Sequence, residues 1–172
     1  KRQQAEAMFK AKDVILQVAK EYATISGREY GLFETYMLED AEIAIVVLNS
    51  AAGTAKYVAN ELRRKGIKAG VLKIRIYRPF PVAEIAQALR HVKAVAVMDR
   101  ADSFAAQGGP VFVDVRSALY GVPNGPQIVN YIYGLGGRDV VTDHIEAVYN
   151  HLLRIVETGE VGQVLNYVGV RD

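Results

Sequence analysis

The run Ile43-Ala44-Ile45-Val46-Val47-Leu48 is apolar at every position. Successive side chains of a strand point to opposite faces, so a run without a polar face suits a strand covered on both sides. Residues 71–77, 94–98 and 127–133 read as further strands. Helical patterns lie between them. One covers 53–65 and ends in Arg63-Arg64-Lys65-Gly66, cations in the last turn and a glycine stop. Another runs from Pro81, which can occupy a first turn, to about residue 91. A third covers 110–120, where Phe112, Val115 and Leu119 keep helical spacing despite the β-branched neighbours. A fourth covers 143–158, with Thr142 as its expected cap.

Ahead of these, residues 2–24 carry Ala5, Met8, Phe9, Ile15, Leu16, Ala19 and Tyr22 at three- and four-residue steps, and Gly27 stops the helix. Residues 32–38 form a strand of mixed polarity that suits a sheet edge. Only residues 39–42 join it to the next strand, too few for a parallel crossover, so the two are antiparallel or not adjacent. The tail from 159 is less regular, with 164–168 extended. Alternation of strands and helices predicts an α/β class fold in one domain. It is a three-layer α/β/α sandwich around a mixed, mostly parallel five-stranded sheet.

A chain of 172 residues buries roughly 70% of its unfolded surface and needs no staples. It has no cysteine, which removes disulfides, thiolate-held clusters and cysteine zinc sites. With 21 basic against 19 acidic residues, charge gives no pointer to nucleic acid. No apolar run approaches the roughly 20 residues of a membrane helix, so no membrane partner is expected. The start, Lys1 to Glu6, opens a polar helix rather than a signal peptide and lacks Met. It reads as part of a longer chain, trimmed or processed. The expected location is the cytoplasm.

The candidate chemistry gathers after strand ends. Tyr131-Ile132-Tyr133-Gly134-Leu135-Gly136-Gly137-Arg138-Asp139 runs a strand into a glycine turn. Such glycines imply sharply turning backbone or close approach by another group. Loops at the carboxyl ends of α/β strands are where ligands and domains dock. Gly134-x-Gly136 begins a dinucleotide fingerprint, but Asp139 stands at its last glycine and the loop follows the last strand. Ser50 to Thr54 opens a helix whose amides can hold an anion or simply cap, without the Gly-Lys-Thr ending of a P-loop.

Arg75, Arg78 and Arg100 stand at or after strand ends, as Arg138 and Asp139 do. They serve as ligand contacts, domain contacts or internal salt bridges. The basic run 63–68 reads as a solvated helix end. His144 and His151 lie seven apart, roughly 10 Å along a helix axis, too far to share a metal. His91 stands alone at a helix end. No Gly-x-Ser-x-Gly elbow occurs, and Ser103 and Ser117 have no histidine nearby in sequence.

Three segments carry a resemblance. They are residues 38–54, Arg75-Ile76-Tyr77-Arg78-Pro79-Phe80-Pro81, and Tyr133-Gly134-Leu135-Gly136-Gly137-Arg138-Asp139. In this order and spacing the chain resembles the 2-oxoacid:ferredoxin oxidoreductases, and within them the α subunit of pyruvate:ferredoxin oxidoreductase (pyruvate synthase). The similar region folds like the C-terminal domain of transketolase. Asp99-Arg100 with Gly108-Gly109-Pro110, and the ending Tyr167-Val168-Gly169-Val170-Arg171, fit the same pattern. The chain departs from it at Asn49 and Ala51, within the family's usual Gly-Ser-Thr-Ala-Gly-Thr, and at Ala101-Asp102, usually Ser-Ile or Ser-Val.

The resemblance implies a parent enzyme that decarboxylates a 2-oxoacid on thiamine diphosphate, passes the acyl group to coenzyme A and reduces ferredoxin. Pyruvate is the first expectation and a branched-chain oxoacid the second. Magnesium and iron–sulfur clusters belong to that complex. This chain lacks the Gly-Asp-Gly magnesium–diphosphate motif and the cluster cysteines, so the resemblance assigns it no catalytic, cofactor-binding or metal-binding residue. Residues 1–27 become a helical connection from an upstream domain, and 28–172 the transketolase-like domain. The expected role is support and docking among the other subunits and domains. Its candidate contacts are Ser50, Thr54, Arg78, Arg100, Gly136, Gly137, Arg138 and Asp139. Two other classes stay open: a free-standing nucleotide- or phosphate-binding module using 50–54, and a stand-alone enzyme of unrelated chemistry.

Overall fold

The computed structural model describes residues 1–104 and 107–171. The chain runs α1 (Arg2–Ser26), β1 (Phe33–Tyr36), β2 (Ile43–Leu48), α2 (Ala51–Arg64), β3 (Ala69–Ile74) and α3 (Val82–Leu89). It continues with β4 (Ala94–Asp99), α4 (Pro110–Leu119), β5 (Gln127–Ile132), a 3-10 turn (Leu135–Gly137), α5 (Thr142–Thr158) and β6 (Leu165–Tyr167). The described strands form one sheet in the order β1-β3-β2-β4-β5-β6. All neighbours are parallel except β1, which pairs antiparallel with β3 (Phe33 opposite Ile74).

The apolar run of β2 is central, as its patterning requires. Ile43, Ile45 and Val47 pack with α2 and α5 on one face. Ala44 and Val46 pack with α3 and α4 on the other. The side-chain alternation of a strand thus feeds two separate cores. On the first face, α5 inserts Ile145, Val148, Tyr149, Leu152 and Ile155. Full burial of such side chains stabilises by about 1.5–3 kcal/mol each. The α1 helix is different: none of its 25 residues is buried. It ends as expected at Gly27, a left-handed cap whose N–H returns to the Ala23 carbonyl.

Four expectations are corrected. The sheet has six strands instead of five. β6 is three residues long and part-exposed, too short to show a periodic pattern, and its pairing is set by the free edge of β5. Thr142 is the first helical residue of α5, and Val141 occupies the cap position, with its N–H donating to His144 Nδ1 at 3.4 Å. Pro81 precedes α3 as its cap residue instead of lying in the first turn. Arg63 is not a solvated helix end. Its guanidinium binds Asp40 Oδ2 at 2.9 Å, the Met37 carbonyl at 2.6 Å and the Ala69 carbonyl at 2.8 Å. It pins the short β1–β2 link, whose Met37 has positive φ.

Candidate functional site

Parallel strands place all their carboxyl ends on one rim, so the loops after β2, β3, β4, β5 and β6 share an edge of the sheet. From β2 the chain moves to β3 on one side, whereas β4, β5 and β6 extend the other way. The crevice outside β2 and β4 is therefore the topological switch point of the fold, where α/β sheets take ligands and docking elements. Asn49 turns the chain there in the left-handed region (φ 58°), which asparagine tolerates better than most residues. Ser50 follows as the exposed cap residue of α2, and its hydroxyl makes no capping bond. Thr54 is part-exposed in the first turn of that helix.

The loops after β4, β5 and β6 are knitted together. Arg100 lies across Gly134, where an added Cβ would sit 3.0 Å from Nε and 3.3 Å from Cγ. Arg138 Nη1 donates to the Gly169 carbonyl at 3.0 Å. Tyr167 donates to Asp102 Oδ2 at 2.6 Å, and Asp102 Oδ1 accepts the Ser103 N–H at 2.7 Å. Asp102, one of the departures from the family pattern, thus has its own partner on β6. Gly136 and Gly137 are exposed, with φ of 65° and 77° and open space where a Cβ would stand. Asp139 is exposed beside them. Here the glycines serve backbone conformation, while Gly134 serves both conformation and close approach.

Ser50, Thr54 and Arg78 share the rim but not this knot. Arg78, half-exposed, stacks on the Tyr77 ring at 4.1 Å. Its Nη1 lies 2.9 Å from Asp114 Oδ2 on α4, an ion pair not aligned as a hydrogen bond. Arg75 is clamped inward: it meets Glu34 Oε2 at 2.7 Å and covers the Tyr30 ring at 4.8 Å. Lys56 binds the other Glu34 oxygen. The Lys56 hydrogen bond, with the charges of Lys56 and Arg75, holds the Glu34 carboxyl below its usual range.

The histidines are each absorbed locally. His91 Nε2 meets the Leu38 carbonyl at 2.8 Å, and His151 Nδ1 meets the Tyr131 hydroxyl at 2.6 Å.

Composition and spacing missed the densest polar feature, the group around Asp99. This buried carboxylate closes β4 and accepts the first amides of α4: Val111 N–H at 2.8 Å and Phe112 N–H at 3.1 Å. Asn130 on β5 completes it. Its Nδ2 donates to Asp99 Oδ2 and to the Val97 carbonyl, and its Oδ1 accepts the Gly109 N–H. A Cβ on Gly109 would lie 2.3 Å from Asp99 Cγ. Burial pushes the Asp99 carboxyl up, against the pull of the helix amides. With both oxygens committed, Asp99 is a helix cap supplied from a strand and not a free acid or base. The signal was present in the family pattern of Asp99-Arg100 with Gly108-Gly109-Pro110, but linking it to Asn130 requires the β4–β5 pairing.

The family model of pyruvate:ferredoxin oxidoreductase core domain II matches residues 41–145, more than half of the chain. The chain belongs to this family. It is 42% identical to the pyruvate synthase subunit PorA of Thermotoga maritima over 172 residues, all of this chain and 43% of that protein. It is 39% identical to PorA of Methanothermobacter thermautotrophicus over 97% of this chain and 41% of the relative. To the ketoisovalerate oxidoreductase subunit VorA of Pyrococcus horikoshii it is 37% identical, over 95% of this chain and 41% of the relative. The chain thus spans less than half the length of these curated relatives. Among solved structures, the 2-oxoglutarate:ferredoxin oxidoreductase of Magnetococcus marinus, with 2-oxoglutarate, coenzyme A and succinyl-CoA bound, matches with a TM-score of 0.52 and 19% identity. That match covers 80% of this chain and 21% of that one, and it supports the fold.

Proposed function

We propose that this chain is the supporting and docking domain of a thiamine diphosphate-dependent 2-oxoacid:ferredoxin oxidoreductase. The whole complex converts pyruvate, coenzyme A and oxidised ferredoxin to acetyl-CoA, carbon dioxide and reduced ferredoxin. The observation that carries the reading is the knotted rim: Arg100 on Gly134, Arg138 on Gly169 and Asp102 on Tyr167. These ties make three separate loops into one fixed surface. Beside them Gly136, Gly137 and Asp139 stay exposed without side-chain cover. A preorganised, side-chain-poor backbone suits close approach by a neighbouring domain or subunit. Residues 1–27 act as the helical connection to another domain, and 28–172 as the docking body, in a cytoplasmic enzyme. Among the described residues, no helix is long and apolar enough to cross a membrane.

The residues present do not fit the parent's cofactors. The chain offers no thiolate, and among the described residues no group of three His, Asp or Glu is placed to hold a metal. No catalytic step is assigned to this chain; thiamine diphosphate, magnesium and the clusters belong with the rest of the complex. Among the described residues, the groove of about 630 Å³ beside α4 and β6 has a single charged lining residue, Arg116, so this groove offers no acid–base pair to a stand-alone enzyme. The anion-binding alternative at Ser50 to Thr54 predicts a thermal shift with nucleotide. Pyruvate is preferred as substrate because relatives at 42% and 39% identity are pyruvate synthase subunits. A branched-chain oxoacid is the second reading, favoured by the ketoisovalerate relative.

Arg138→Ala in the full enzyme tests the docking reading. It is expected to weaken assembly or coenzyme A-dependent turnover while the isolated chain keeps its fold. If the isolated chain unfolds, Arg138 is an internal clamp for the β6 tail. If neither changes, the rim does not dock through this loop.

A further inference from the structure

β5 is longer than the strand that covers it. Its odd-numbered residues bond to β4: Gln127 N–H meets the Lys93 carbonyl at 2.9 Å, and Tyr133 N–H, just past the strand, meets the Asp99 carbonyl at 2.9 Å. Its even-numbered residues face β6: Asn130 N–H donates to the Val164 carbonyl at 2.7 Å, and the Ile132 carbonyl accepts Val168 N–H at 3.0 Å. Parity sends the N–H and C=O of Ile128 the same way. β6 begins only at Leu165, opposite Asn130, so among the described residues neither group of Ile128 has a partner. Ile128 lines a groove of about 630 Å³, walled by Phe112 and Arg116 of α4 and by Val161, Val164 and Leu165. Phe112 and Arg116 are one helical turn apart and share a face. Among the described residues, the ion pair of α4 is Arg78–Asp114, which leaves the exposed Arg116 without a carboxylate.

We propose that this groove takes the carboxyl-terminal end of a partner polypeptide, which adds to the edge of β5 in line with β6, pairs its backbone with Ile128 and sets its terminal carboxylate against Arg116. An unpaired donor and acceptor on one strand residue are what a peptide backbone complements. The apolar walls take an apolar side chain of that peptide. The guanidinium set among them calls for a carboxylate, which it binds through two parallel N–H bonds. Two features make the occupant a short chain end. Pro126, at one end of the slot, has no N–H to offer. Val164 and Leu165 close the other end, where β6 begins, so a strand laid along the slot stops there. A small free carboxylate would use Arg116 and leave Ile128 open. The groove lies at the amino end of β5, away from the carboxyl rim, so the inference does not rest on the docking role of that rim.

The probe is the peptide acetyl-Thr-Val-Thr-Val with a free carboxylate, titrated to about 1 mM into the isotope-labelled 172-residue chain and followed by amide NMR. In the free chain the Ile128 amide should exchange with solvent much faster than those of Val129 and Asn130, which the ladder holds. Bound peptide should slow Ile128 exchange about tenfold or more. The same peptide ending in a carboxamide should bind about tenfold more weakly. Arg116→Gln should weaken the acid peptide by a similar factor and remove the difference between acid and amide. Arg116 is exposed, and circular dichroism checks that the variant keeps its fold. No binding at the highest concentration overturns the proposal. So does binding that leaves Ile128 exchange unchanged, or equal affinity for acid and amide. Acetate that displaces the peptide at equal concentration marks a simple anion site and overturns it as well.

Discussion

At the residue scale, the chain concentrates its polar investment in groups that hold loops. Asp99 is the clearest: a buried carboxylate bonded to two helix amides and an amide side chain. Asp99→Ala leaves those donors unpaired and is expected to lower unfolding stability by about 2–3 kcal/mol in urea titrations. Gly109→Ala drives a Cβ into the same carboxylate and is expected to cost about 2 kcal/mol or more. Asn130→Ala plus Gly109→Ala should then be non-additive, since both act through Asp99.

Glu34 and Asp99 oppose each other in pH. The Lys56 hydrogen bond depresses the folded Glu34 value, so its contribution is present above the ordinary carboxylate range and lost as pH falls toward the depressed value. Asp99 is raised by burial, so its protonation favours the folded state as pH falls from the raised value to the ordinary range. The urea midpoint of Glu34→Gln should therefore fall less than that of the native chain from about pH 5 to about pH 3.

At the scale of elements, burial separates what the fold needs from what it carries. α5 places five side chains in the core, whereas α1 places none. Deleting residues 1–26 should cost much less stability than deleting 142–158, which should abolish cooperative unfolding. Guanidinium titrations monitored by far-ultraviolet dichroism distinguish the two, and comparable losses would mean α1 is part of the core unit. The element pattern was largely legible before the structure, because the apolar runs of β2 and β4 and the helical spacing of α4 and α5 are strong local signals. β6 falls within the extended 164–168 but was not counted as a strand of the sheet, since its three residues, two part-buried and one exposed, carry no period. The α5 cap was misplaced by one residue because Thr142 competes with a β-region Val141 whose amide is held by His144. Arg63 looked solvated because nothing local shows that the β1–β2 link folds back onto it.

At the scale of the whole molecule, the sheet order places every candidate contact on one rim. The isolated chain is expected to bind neither thiamine diphosphate nor an iron–sulfur cluster and not to turn over pyruvate. Titration calorimetry giving saturable cofactor binding would contradict this. In the complete complex, changes at Arg100 or Gly136 should act through assembly, read as subunit loss on gel filtration before any change in the fold of this domain.

Local patterning was sufficient for the α/β class, the antiparallel edge strand, the glycine stops and the absence of thiolate chemistry. These depend on neighbours in the chain or on composition alone. The family was legible as well, because its motifs are contiguous. Tertiary structure decided which arginines face outward. Arg75, Arg78, Arg100 and Arg138 look alike in sequence, each just past a strand. Arg75 turns to Glu34 on an adjoining antiparallel strand, Arg78 to a helix on the other face, and Arg100 and Arg138 tie neighbouring loops. Their partners are distant in sequence and meet them only through the strand order β1-β3-β2-β4-β5-β6. Long-range pairing of this kind leaves no local period to read.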